Sequence, residues 1–240
     1  MPDMSEGGNV GIRVRGLAAL VVIGIATTVT ACGNASSSAT HASAPASSPA
    51  APASAAVAIP AGDHRIGGAP QGISIEVPAS FTEIDLGSLT AAQTSLSRLG
   101  LTGAKAATIK QAIPNLEKVH GLIAVDPASA AGGFASNLNA YCVDPGTDLT
   151  GSDLVPALKQ GASQLQQQLG ATDVSSTDYQ VGGVPGVETT YQLQTPGFGT
   201  IYGSQLEVSA KPHKACFVTL TQSRPSDEIM SVAAASAEFF

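Results

Sequence analysis

Apolar residues recur along this chain in three patterns, and each predicts a different kind of element. Ile73, Ile75 and Val77 alternate with Ser74 and Glu76, the period-two signature of a strand with one buried face. Pro78, which has no N–H to donate to a ladder, ends it. Phe81 and Ile84 continue the packing. Leu89, Ala92, Leu96 and Leu99 then return at helical spacing behind the cap residues Ser88 and Thr90, until Gly100 and Gly103 interrupt the run. A second helical set covers 104–113, and Pro114 is expected to stop it. Residues 116–125 and 134–143 read as strands, closed by the turn sequences Asp126-Pro127 and Asp144-Pro145-Gly146.

Ser152 and Asp153 open an amphipathic helix. Leu154, Leu158, Ala162, Leu165 and Leu169 form its apolar stripe, Lys159, Gln160, Gln164 and Gln167 face outward, and Gly170 ends it. Four strands follow at 174–181, 187–193, 201–208 and 216–221. The short connections Gly182-Gly183, Thr195-Pro196-Gly197 and Lys211-Pro212-His213-Lys214 require antiparallel pairing between sequence neighbours. A last helix is expected over 227–240, capped by Ser226, with Asp227 and Glu228 at its positive end. This order of elements is that of an α+β fold, a central antiparallel sheet covered by helices.

The third pattern is an apolar core that begins at Leu17, carries Gly24, Thr27 and Thr28 and ends at Thr30, preceded by Arg13 and Arg15 and followed by Ala31 and Cys32. A short cationic head, an apolar core and small residues are the three parts of an export signal. The run is too short to span a bilayer, which needs about 20 apolar residues. Val29-Thr30-Ala31-Cys32 resembles the bacterial lipobox. That resemblance implies cleavage before Cys32 and a thioether-linked diacylglycerol on its sulfur. The chain divides accordingly into a signal peptide over 1–31, a lipidated linker over 32–70 and a folded domain over 71–240. The linker is rich in Ala, Ser and Pro with almost no large apolar side chain before Val57, so little offsets the entropy of ordering it. His41 and His64, in or beside it, are read as solvated.

The formal charge is −7, and removal of the signal takes two charges of each sign (Arg13, Arg15, Asp3, Glu6). An acidic domain excludes nucleic acid and anionic lipid as electrostatic partners. Attachment then depends on acyl chains, and two chains hold stably where one does not. The expected address is the extracytoplasmic face of the cell membrane.

Four segments carry a family resemblance: GISIEVPASF, FASNLNAYCVDP, VGGVPGVETTY and CFVTLTQS. They are similar to the actinobacterial lipoproteins of the LpqN/LpqT type, which look like the PsbP fold, an α-β-α sandwich on a central antiparallel sheet. Where that family has Pro-x-x-Trp or Pro-x-x-Phe after its first strand, this chain has Pro78-Ala79-Ser80-Phe81 and no Trp anywhere. The shared features concern packing and turns, and they imply no catalytic residue and no cofactor.

Cys142 shares a strand face with Leu138 and Ala140, and Cys216 with Val218 and Leu220, so both point to the core. In an oxidising compartment such a pair is expected to form a disulfide; the alternative is two buried thiols. The sequence has no Gly-x-Ser-x-Gly element and no zinc, phosphate-loop or dinucleotide fingerprint. Asp144, Asp148 and Asp153 lack the spacing of a calcium loop. His120, expected in a strand, and His213, expected in a turn, would support an enzyme only if polar groups converged on them. The expected function is therefore a non-enzymatic binding or accessory module for an envelope protein or component. The alternative is a carrier of a lipid or small amphiphile in a cavity between helices and sheet.

Overall fold

The computed structural model describes residues 62–145, 156, 165–167 and 169–240. Cys32, the apolar run before it and most of the linker lie outside the described residues, as do Asp148, Asp153 and most of the helix expected from Ser152.

Seven strands form one antiparallel sheet: β3 (Thr82–Glu83), β4 (Leu122–Val125), β5 (Asn137–Val143), β9 (Lys214–Gln222), β8 (Gly199–Lys211), β7 (Val184–Thr195) and β6 (Thr172–Val181), in that spatial order. The four strands after residue 170 pair with their sequence neighbours, as their short turns require. Gly182 and Gly183 both have positive φ, as a two-residue hairpin between strands of natural twist demands. A second, three-stranded sheet packs β1 (His64–Gly68) and β10 (Glu238–Phe239) on either side of β2 (Ile73–Val77).

The two faces of the large sheet are covered differently. One face meets α3 (Glu228–Ser236) and the small sheet, and its core includes Ile73, Ile75, Leu138, Val218, Leu220, Met230 and Ala233. The other meets α1 (Leu89–Arg98) and α2 (Ala104–Lys118) at the β4–β5 end, through Leu96, Ile109, Ile113, Leu116, Ile123 and Tyr141. Helices on both sides of a central antiparallel sheet are the expected α+β arrangement. Among the described residues no helix is long and apolar enough to cross a membrane.

Four expectations need correction. The folded part starts before Gln71: β1 pairs in full register with β2, Ile66 is buried, and Arg65 bonds Ser74 and Glu76. A single apolar residue in β1 left no alternation to read; cross-strand pairing holds it instead. Next, α2 runs through Pro114 to Lys118. Burial of Ile113 and Leu116 outweighs the one backbone bond that proline removes, so the strand expected from 116 shrinks to β4. His120 consequently lies in a turn, not a strand. It sits at φ 51°, with its N–H donating to the Glu117 carbonyl and that of Gly121 to Leu116, the left-handed helix ending usually given to glycine. Finally, α3 stops at Ser236. The next residues extend as β10 along the edge of β2, and the Phe240 N–H donates to the Gly72 carbonyl.

Candidate functional site: a buried polar face on the central sheet

The core-facing cysteines meet as expected. Cys142 lies directly opposite Cys216 in the β5–β9 register, and a disulfide joins them.

His213 occupies the β8–β9 turn, exposed, with its Nδ1 3.8 Å from Asp144 Oδ1. His120 lines an open cleft of about 620 Å³ together with Glu83, Asp85 and Glu117. Partial burial pushes the Glu83 carboxyl above its ordinary value; the Gly67 N–H and His64 oppose that shift and Asp85 adds to it. The cleft lining carries carboxylates and an imidazole but no hydroxyl or thiol. Among the described residues no group of three or more His, Cys, Asp or Glu is placed to hold a metal ion.

The most unusual chemistry lies inside. On the sheet face toward α1 and α2, one register level crosses five strands as Asn139, Thr219, Gln205, Thr189 and Ser176. The first four are at most 2% exposed. The adjacent level reads Asn137, Thr221, Gly203 and Tyr191, and the level on the other side contains Tyr141, Phe217 and Glu207. A sheet face this deeply buried is ordinarily apolar, because each polar group taken from water needs a replacement partner.

Part of that need is met internally. Thr219 donates to Gln205 Oε1 at 3.4 Å, the Gln205 amide donates to Glu207 Oε1 at 2.6 Å, and the Ser176 and Thr189 hydroxyls bond at 2.9 Å. Burial pushes the Glu207 carboxyl up to about 7, against the lowering effect of the Gln205 bond. Burial, and then the nearby Tyr141 phenol, raise the Tyr191 phenol well above its ordinary range. Among the described residues, Asn139 Oδ1, the Tyr191 hydroxyl and Thr195 Oγ1 are buried with no hydrogen-bond partner. Gly203 makes the Tyr191 pose possible: a Cβ there would lie 2.1 Å from the Tyr191 ring.

None of these polar residues is visible as a site in the sequence. On β9, Thr219 and Thr221 alternate with Cys216, Val218 and Leu220, which reads as an ordinary solvated face.

No family model and no curated protein matches the chain. Among solved structures it is similar to cyanobacterial PsbP (CyanoP) from Synechocystis sp. PCC 6803, with 11% identity, a TM-score of 0.45, and coverage of 78% of this chain and 98% of that one. It is similar to the Saccharomyces cerevisiae Ran-binding protein Mog1p, with 10% identity, a TM-score of 0.42, and coverage of 74% and 95%. A protein from Bacteroides thetaiotaomicron matches at 10% identity and a TM-score of 0.44 over 73% of this chain, which spans only 48% of that protein's length.

Proposed function

We propose that this chain is an extracytoplasmic binding protein, held to the cell membrane by a diacylglycerol on Cys32, whose α+β domain acts by binding rather than by covalent chemistry. The observation that carries the export half is the Cys142–Cys216 disulfide, a bond that persists in oxidising compartments and is rare in the cytosol. It agrees with the signal pattern of 17–32 and with the LpqN/LpqT-type resemblance. Mass analysis of protein from native membranes tests the anchor: a diacylglyceryl increment on Cys32 is expected, and Cys32→Ser is expected in the soluble fraction with its disulfide intact. An unlipidated native protein that stays on the membrane would sink the reading.

The binding half has two forms. In the first, the domain docks an envelope protein or component from outside the membrane. Among the described residues the exposed large apolar side chains are Leu89 and Phe240, so such docking would use polar surface, for example the acidic cleft around Glu83, Asp85 and Glu117. Crosslinking in native envelope should then recover a protein neighbour. The second form is a carrier with a cargo between helices and sheet. The buried polar face favours it and changes the cargo: groups lacking partners suit a molecule with polar functions better than a bare acyl chain. Release of a small molecule from crosslink-negative protein would decide for the carrier.

A further inference from the structure

An unmade hydrogen bond costs about 1–3 kcal/mol when its group is buried. Asn139 and Tyr191, each 2% exposed, both carry such a group. Phenylalanine at 191 would preserve the shape of the ring and lose no hydrogen bond among the described residues. The hydroxyl is therefore a cost to the fold as it stands.

These groups are not scattered. Tyr191 projects over β8 into the space above Gly203, where a Cβ would come within 2.6 Å of its hydroxyl oxygen. Asn139 stands on β5, three strands from β7 across β8 and β9, in the level that continues through Thr219 to Gln205. Glu207 follows two residues along β8 and takes the Gln205 amide bond.

The composition of the face narrows what it can hold. Asn, Gln, Thr and Tyr side chains each donate and accept, and among the described residues the buried polar ones include no Lys, Arg or His. A phosphate or carboxylate would find no countercharge among the described residues and would face Glu207. Hydroxyl groups, which also donate and accept, would complete these side chains without bringing a charge inside.

We propose that the polar face of the central sheet is a binding site for a small, neutral, hydroxyl-rich molecule of the sugar or polyol class, held by Asn139, Tyr191 and the Thr219–Gln205–Glu207 set. The inference rests on the binding-module reading but is independent of the anchor.

The chain has four Tyr and no Trp, so tyrosine fluorescence reports on Tyr191 together with Tyr141, Tyr179 and Tyr202, without an indole signal over it. Full-length protein is titrated with glucose, mannitol and glycerol, and with ethanolamine and inorganic phosphate as charged counterparts, and followed by fluorescence and thermal unfolding. A saturable response and a raised Tm are expected with at least one hydroxylated probe and with neither charged one. Tyr191→Phe should unfold without ligand at the same or a higher temperature than the parent and bind about tenfold more weakly, the loss of one well-made hydrogen bond. Lower stability of Tyr191→Phe without ligand would mean that the hydroxyl serves the fold through ordered water, and would overturn the proposal. So would the absence of any response, or equal affinity in the variant and the parent. Binding of ethanolamine or phosphate alone would overturn the ligand class and leave the binding-module reading standing.

Discussion

The two faces of the seven-stranded sheet are built from the same strands, yet where both are buried, on β5 and β9, their chemistry is opposite. On the face toward α3 and the small sheet, Leu138, Ala140, Cys216, Val218 and Leu220 pack without a polar interruption. On the face toward α1 and α2, apolar packing holds at the β4–β5 end and gives way to Asn139, Thr219, Gln205 and Glu207 toward the middle. The first face maximises removal of apolar surface from water, the dominant favourable contribution to folding. The second tolerates unpartnered groups that oppose folding. One face therefore carries the stability and leaves the other to carry a specificity that the fold alone does not need.

The largest test removes what staples the apolar face. Replacing both Cys142 and Cys216 by Ala should cost about 4 kcal/mol in chemical denaturation, from release of the loop between residues 74 apart. Almost as large, Ile75→Ala in β2, a fully buried side chain, should cost about 3–4 kcal/mol by leaving a cavity. If either change were silent, the stability would not reside on this face.

The polar face is expected to respond to pH instead. Glu207 has its folded-state value raised from 4.5 to about 7, so between these values the native state binds a proton that the unfolded state has released. Its stabilising contribution is complete below pH 4.5 and is lost as pH rises through 7. Denaturation at pH 5 and pH 8 should differ by about 2–3 kcal/mol in favour of pH 5, and Glu207→Gln should flatten that slope. The smallest effect concerns the Tyr191 seat. Gly203→Ala places a methyl 2.1 Å from the ring and should cost about 2 kcal/mol by overpacking. If Tyr191→Phe also cost stability, the two faces would differ less than their composition suggests.

The fold was legible where local chemistry and tertiary structure agree. Gly182-Gly183 and Lys211-Pro212-His213-Lys214 announced hairpins because the turn residues supply the backbone angles the turns need. Cys142 and Cys216 were legible as a pair because alternation put each on a core face. Pro114 misled because the burial that overrides its helix-breaking effect is tertiary. β1 and β10 were missed because short edge strands are made by the partner that pairs with them. The candidate site was hidden for a different reason. A period of two tells which residues share a face, not whether that face is covered, so Asn139, Gln205 and Thr219 looked like residues facing water.

The Cys142–Cys216 bond also has a mechanical consequence. A chain held from its N-terminal side takes load first at His64, where five residues of β1 are zipped antiparallel to β2. Those residues can peel away, but force passing further along the backbone is shunted across β5 and β9 by the covalent link. The 74-residue span between the two sulfurs is then shielded from tension, which withholds about 250 Å of contour length from extension. Under load, β6, β7 and β8, with most of the polar face, lie inside the shielded loop and bear no tension themselves.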